Sequence, residues 1–399
     1  MADERVRRIL VGAFAIGLAF SITLSETALA VLALRLAWRV VSGRARLEGW
    51  PLAWPFAAWI LVSLIAVALS AQPLESLVAA KGLLLIVTFY AMLDALPDTA
   101  AADRFMGGLL ALVAVAALLG IVQVALCPGP AGSIAALGTV GRKCHRARGF
   151  YSIYMTLAGV LSLMLLATAP RLLLTARARS DWWRIIAWLV AAAGFALTYV
   201  RGAWVGFLAA VATMLSLVRR GRVVIAAGVL ILAVVVLLAP GLRRRAESIA
   251  DPADPTARER VLMWRSGLGM ARDHPVLGVG PGGVKREYPR YASPDALRQH
   301  RGHLHNTPLQ ILAERGALGL LAWLALFVAF FVRSATVLRR LASDAALERA
   351  LVVGSMAAIV GFLVGGLTEY NFGDSEVVMI AYVVMAVPFV VGRGSSTAG

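Results

Sequence analysis

Lysine and cysteine are scarce in this chain, and each shortage narrows what it can do. Lysine occurs only at Lys81, Lys143 and Lys285, so arginine supplies nearly all of the positive charge. Arginine suits two-pronged binding of phosphate, although a codon bias of the source genome is the stronger account of the preference. The two cysteines, Cys127 and Cys144, stand far from His300, His303 and His305. His300, His303 and His305 are spaced i, i+3 and i+5, which shares no helical face, and no cysteine or carboxylate adjoins them to complete a metal site. No metal is therefore expected. No serine stands in the strained elbow of a Ser–His–Asp hydrolase. A cleavable signal is missing too: Ala28-Leu29-Ala30 imitates a cleavage site, but the apolar pattern runs on to Val41 as a membrane hairpin. The glycines Gly278, Gly280, Gly282 and Gly283 follow no strand of a βαβ unit, which excludes a dinucleotide fingerprint.

What the sequence has in excess is hydrophobic length. Apolar residues make up 60% of the chain and charged ones 15%. Runs of roughly 17 to 23 apolar residues recur, enough to cross a hydrocarbon core of about 30 Å. Only helices satisfy their own backbone in lipid as single segments, so an all-α polytopic membrane protein is expected. The spans fall at roughly 9–22, 24–40, 53–71, 79–96, 105–127, 150–169, 184–200, 203–218, 222–239, 317–337, 349–368 and 376–392. That is about twelve transmembrane helices in a single transmembrane domain, 1–399, with a long polar connection, 241–316, between spans nine and ten. The net charge of +17 does not indicate nucleic acid, because most arginines sit in short inter-span loops. With the N-terminus inside, Arg5/Arg7/Arg8, Arg39/Arg44/Arg46, Arg171/Arg177/Arg179, Arg219/Arg220/Arg222 and Arg333/Arg339/Arg340 all fall on the inner side, as the positive-inside bias requires.

Three basic groups defy that bias and land outside. One is Arg142, Lys143, His145, Arg146 and Arg148, before span six. Another is Arg201, in the tight turn TYVRGAW. The last is the connection 241–316, with Arg258, Arg260, Arg265, Lys285, Arg298 and Arg301. An anionic ligand on the outer face would account for all three, whereas any single one could be a solvated loop charge. Cys127 and Cys144 also fall near that face, where they could form a disulfide or remain as two unpaired thiols.

The connection reads as structured. From Arg258 to Arg272, Val261, Leu262, Trp264 and Leu268 follow helical spacing, as in an amphipathic surface helix. It stops at Asp273-His274-Pro275, and the glycine-rich VLGVGPGGV after it allows a close backbone approach. A second helix is expected from His305 to Glu314. The polar cluster His300–Gly319 is pressed against the next span, which marks it as a functional-site candidate. Guanidinium groups around a phosphate-bearing lipid, with one group able to take a proton, would make a group-transfer site. Histidine changes charge nearest neutral pH, so His305 is the first candidate for the base. Glu314 is the second, unless it serves as an ion-pair partner for Arg315.

HNTPLQILAERGALG, from His305 to Gly319, resembles the His-Asn, nine residues, Gly-x-x-Gly signature of bacterial O-antigen ligases, with Asn306, Gly316 and Gly319 as its other members. RVLMWRSGLGMARDHPVLGVGPGGV, Arg260 to Val284, and TYVRGAW, with Arg201, are similar to stretches of the O-antigen ligase and polymerase superfamily. The loop RARGFYSIYM lacks the Asn-Pro-Asn-like element of many members. The resemblance implies an inner-membrane glycosyltransferase whose connection 241–316 is periplasmic. It would move O-antigen polysaccharide from undecaprenyl diphosphate to the lipid A–core oligosaccharide, inverting the anomeric centre without metal, ATP or other cofactor. The implied catalytic residues are His305, Arg201 and Glu314. Arg142, Arg146, Arg148, Arg201, Arg260, Arg265 and Lys285 are the candidate phosphate contacts. The implied partners are the lipid-linked O-antigen, the lipid A–core acceptor and membrane lipids, with no nucleic acid. An O-antigen polymerase or a protein O-oligosaccharyltransferase would use the same donor. A lipid-glycan transporter, from a different class, would place charges at several depths along the spans.

Overall fold

Two Gly-x-x-x-Gly pairs set the crossing on which one end of the protein is built. One lies on the helix Arg201–Leu217, at Gly202 and Gly206; the other lies on the helix Ala346–Gly365, at Gly361 and Gly365. A Cβ at Gly206 would stand 2.5 Å from the Gly361 carbonyl oxygen, so the two backbones touch. Small residues permit such approaches in lipid, where dispersion rather than water exclusion holds helices together. The same crossing brings Gly202 against Thr368, which lays the loop 366–374 beside the start of the first helix.

The computed structural model describes residues 2–45, 49–128, 144–175, 181–217, 243, 247 and 254–396. The expected span 222–239, Arg142, Lys143, Arg46, Arg177, Arg179 and Arg219/Arg220/Arg222 lie outside the described residues. Among those described, the chain is helical and contains no strand. In chain order the helices are α1 (Ala2–Phe20), α2 (Ile22–Val41), α3 (Ala53–Ala68), α4 (Pro73–Ala79), a 3-10 segment (Ala80–Ile86), α5 (Val87–Ala95), α6 (Thr99–Ala125), α7 (Tyr154–Thr175), α8 (Trp182–Ala196) and α9 (Arg201–Leu217). They continue as α10 (Pro255–Asp273), α11 (Gly283–Tyr291), α12 (Thr307–Arg340), α13 (Ala346–Gly365) and α14 (Ser375–Ser396). Six described segments are long and apolar enough to cross a membrane: Pro73–Ala95, α6, α7, α12, α13 and Ser375–Arg393. The apolar helices α3, α8 and α9 are shorter. Apolar side chains such as Trp54, Leu61, Leu321 and Val328 point away from the protein, an arrangement that suits hydrocarbon rather than water. The chain is a multi-pass membrane protein.

α13 and α14 are buried along almost their whole length against α7, α9 and α5. At one end of the bundle sit buried ion pairs. The Arg184 guanidinium forks onto Asp103 at 2.8 and 2.9 Å, with Arg171 3.0 Å from the same carboxylate. α1 and α2 form an antiparallel hairpin, and Arg35 of α2 bridges Asp3 of α1 and Asp94 of α5. At the opposite end gather the loops before α7 and α9, the loop 366–374 and the connection from Asp254 onward, the segments that the charge pattern places outside. Cys127 and Cys144 are joined by a disulfide there. The buried Gln123 side chain brackets the adjoining loop, donating to the Gly149 carbonyl and accepting from the Gly149 N–H, each at 3.0 Å.

α12 is broken at Gly316, where φ is +62°. The glycine-rich turn of the connection fills the break. Val279 N–H and Gly280 N–H donate to the carbonyls of Ala313 and Glu314, each at 2.9 Å, and Ala317 N–H donates to the Pro275 carbonyl at 2.8 Å. A Cβ at Gly316 would fall 2.1 Å from the Val276 carbonyl carbon, so the positive φ and the close approach both require glycine. Gly319 lies one turn on, against the Arg315 side chain.

Candidate active site

His305 is not helical, contrary to the expectation of a helix from His305 to Glu314. It stands in left-handed backbone, φ +49°, just before α12. The helix starts at Thr307 because Asn306 caps it, its Oδ1 accepting from Leu309 N–H at 2.9 Å. Pro308 then occupies the first turn, where a missing N–H costs nothing. Asn306 also donates from Nδ2 to the Leu367 carbonyl at 2.9 Å. Thr307 adds its N–H to the Gly366 carbonyl at 2.7 Å and its hydroxyl to the Glu369 carbonyl at 2.9 Å. The His-Asn-Thr run therefore staples the start of α12 to the loop 366–371.

This staple puts His305 Nδ1 3.0 Å from Glu369 Oε2, while the other carboxylate oxygen accepts from the Arg260 guanidinium. A carboxylate can only accept, so Nδ1 carries the proton and Nε2 is left with its lone pair. His303 packs edge-on against His305, ring centroids 4.2 Å apart, and lies 5.9 Å from the Tyr370 ring. Burial, with the neighbouring His305 adding to it, pushes the His303 imidazole down to about 4. Its Nδ1 is buried without a hydrogen-bond partner. Tyr370 is driven upward by burial. Nearby, Glu259 accepts from Leu297 N–H at 3.0 Å and from Arg301. Burial pushes its carboxyl up, but these contacts outweigh that and hold it below the usual carboxylate range.

Arg201 is the first residue of α9 rather than a loop residue. Its fork meets Asp254, with both N–O distances 3.0 Å. The same carboxylate caps α10 by accepting from Thr256 and Ala257 N–H at 2.9 and 3.0 Å. The Arg201 hydrogen bond holds the Asp254 carboxyl down at about 2. Glu314 is 3% exposed. One oxygen accepts from Gly282 N–H and the Gln310 amide, the other from Arg315 at 3.1 Å. It has the ion-pair partner offered as its alternative role.

Of the other expected cations, Arg146 stacks over Tyr154 at 4.5 Å and Arg148 donates to the Ser152 carbonyl at 3.2 Å. Arg265 and Lys285 project from exposed positions on α10 and α11. The structure thus joins His305 to Arg260 through a residue that sequence reasoning overlooked, Glu369. It also supplies Asp254 and Glu259 as the acids that hold Arg201 and Arg301. The available signal was Glu369 in GLTEYNFGD, an acid directly after an apolar span.

Residues 185–324 match the family model described as O-Antigen ligase. That stretch is similar to the O-antigen ligase superfamily. That superfamily covers ligases and polymerases of the membrane glycosyltransferase type, which act on lipid-linked polysaccharide. No curated protein matches the chain. The matched region carries Arg201, Arg260, His305 and the Gly316 break, and it ends before Glu369.

Proposed function

We propose that this chain is an O-antigen ligase, transferring the polysaccharide from undecaprenyl diphosphate to the lipid A–core oligosaccharide at the periplasmic face of the inner membrane. The observation that carries the chemistry is the chain Arg260–Glu369–His305, which orients one imidazole with its basic Nε2 free to receive a proton. An acceptor hydroxyl oxygen attacks the anomeric carbon of the donor. The new glycosidic bond forms as the bond to the diphosphate oxygen breaks, the hydroxyl proton passes to His305 Nε2, and configuration inverts. The electron pair leaves with undecaprenyl diphosphate, whose growing charge guanidinium groups stabilise. The bond that breaks is already activated as a diphosphate ester, so the step requires no nucleotide or metal.

Arg201 and Glu314 fit this reading as supports. Arg201 ties the start of α9 to the start of α10, and Glu314 holds the glycine-rich turn. Arg146, Arg148, Arg265 and Lys285, together with Arg142, are the proposed contacts for diphosphate or lipid A phosphate. Charge asymmetry favours the periplasmic orientation, because the basic inner loops of the positive-inside pattern belong to the end opposite His305.

Complementation of a ligase-deficient strain with a matched core tests the proposal. Wild type should restore O-antigen ladders on lipopolysaccharide gels. His305→Ala and Glu369→Gln should not, at equal protein levels. Lengthened lipid-linked repeats without ladders would make the protein a polymerase, with the same base and a different acceptor.

A further inference from the structure

The two sides of α10 are unlike. On one side Leu262, Met263, Ser266, Gly267 and Met270 are buried, with Gly267 against Leu304 and Leu309. On the other, Arg258, Val261, Arg265, Leu268 and Arg272 are all exposed. At 3.6 residues per turn the three arginines recur every two turns, about 10 Å apart, and the two aliphatics fall in the adjoining row. Guanidinium and bare aliphatic groups therefore alternate along one narrow stripe.

The charges on this stripe are unanswered. Arg260, Arg286, Arg290 and Arg301 of the same connection each meet a carboxylate. Among the described residues Arg258, Arg265 and Arg272 make no ion pair, and the stripe contains no acid. Asp273 lies off it and accepts from the Tyr291 hydroxyl at 2.6 Å. Unanswered guanidiniums favour an anion, and their fork suits phosphate. Val261 and Leu268 narrow the choice. A dissolved polyanion would leave them in water, and a second copy of the stripe would set like charges face to face. A lipid surface serves both rows, since aliphatic groups enter the boundary between headgroups and chains while arginines reach the phosphates.

The placement of α10 agrees. Its cap, Asp254, is tied to Arg201, the first residue of the apolar helix α9. Just past its other end, the Val276 carbonyl accepts from Leu318 N–H at 3.3 Å. There the outward apolar row of α12 begins, with Leu318, Leu321, Leu324, Val328 and Val332. Both ends of α10 thus stand at the level where apolar helices start, which lays the helix along the bilayer surface.

We infer that the exposed stripe of α10 is a lipid-headgroup site: Arg258, Arg265 and Arg272 bind the phosphates of anionic lipids, with Val261 and Leu268 seated among the tops of their chains. Arg265, proposed above for a lipid phosphate, is the middle member of this row. The site needs no transfer reaction to exist. Arg260 leaves the same helix on the opposite side, toward Glu369, so one element joins the lipid surface to the candidate base.

Full-length protein with Leu268→Cys can be labelled at that position alone, because Cys127 and Cys144 are joined. In nanodiscs of phosphatidylcholine and phosphatidylglycerol, a bimane at position 268 should be quenched by brominated lipid and shielded from aqueous iodide. Quenching by iodide and not by lipid would put the stripe in water, facing a soluble partner, and overturn the inference. In detergent, phosphatidylglycerol should shift the bimane emission saturably, whereas phosphatidylcholine and sodium phosphate should not. Each single Arg→Gln change should weaken phosphatidylglycerol binding roughly fivefold, and Arg258→Gln/Arg265→Gln/Arg272→Gln together about 100-fold, from the contribution of a basic residue near a charged leaflet. The corresponding triple Arg→Lys variant should keep most of the affinity. Unchanged affinity in the single and triple Gln variants overturns the inference, as does an equal response to phosphatidylcholine or to sodium phosphate.

Discussion

At the scale of single residues, His305 and Glu369 act as one unit. Removing the base with His305→Ala should lower turnover by about 10²–10⁴-fold. Glu369→Gln keeps the shape but removes the charge that fixes the imidazole tautomer, so it should fall in the same range while the acceptor KM stays near wild type. A drop in acceptor affinity with turnover preserved would contradict this division of roles. His303 makes a separate prediction. Its folded value, about 4, lies below the ordinary 6.5. Above 6.5 neither folded nor unfolded chain binds the proton. As pH falls from 6.5 towards 4 the unfolded chain binds it and the native one does not, so stability should decline across that window. Melting temperature against pH should show a smaller decline for His303→Asn. His305 was legible from its neighbours in the sequence, but its partner was not: Glu369 lies beyond two helices, and only the staple from Asn306 and Thr307 brings it back.

At the scale of elements, the sequence conveyed most of the helices and little about how they end. Apolar runs locate α6, α7, α13 and α14 to within a few residues. The start of α12 was misread because Asn306 and Pro308, a cap and a first-turn proline, were weighed less than the periodicity that follows them. Of the apolar residues read as one face of α10, Val261 and Leu268 are exposed and Leu262 is buried, together with Met263 and Met270. That happens because Leu304 and Leu309 cover one side of the helix, which periodicity alone cannot reveal. Two substitutions probe these ends. Gly316→Ala should destabilise by at least about 1–3 kcal/mol, the cost of forcing left-handed backbone, before its clash with Val276 is counted. Thermal unfolding in detergent would measure it. Asp254→Ala should lose the α10 cap, about 0.5–2 kcal/mol, as well as the partner of Arg201. Asp254→Asn keeps the cap and loses only the charge, so comparing the two separates the contributions.

At the scale of the whole molecule, the two ends of the bundle differ in kind. One is closed by buried ion pairs such as Arg184–Asp103 and Arg35–Asp94; the other gathers histidines, carboxylates and arginines around a cavity. Charge placement in the sequence anticipated this sorting. It could not anticipate which acid meets which arginine, since those pairs join residues about 50 to 110 positions apart. Orientation is directly testable because the described cysteines are paired. Lys285→Cys should react with a membrane-impermeant maleimide applied from the periplasm, and Arg340→Cys should react only after the inner membrane is opened. The reverse pattern would refute a periplasmic site.

The break in α12 has a consequence for how such a protein can be altered. Because the turn Pro275–Gly280 completes the helix it crosses, the connection is not an appendage resting on a finished bundle. Exchanging it for the corresponding segment of a similar protein would leave the Ala313 and Glu314 carbonyls open unless the donor segment carries its own matching turn. Chimeras that aim to change acceptor preference should therefore take both sides of that seam together, Pro275–Gly280 and Ala313–Leu318, and cut elsewhere.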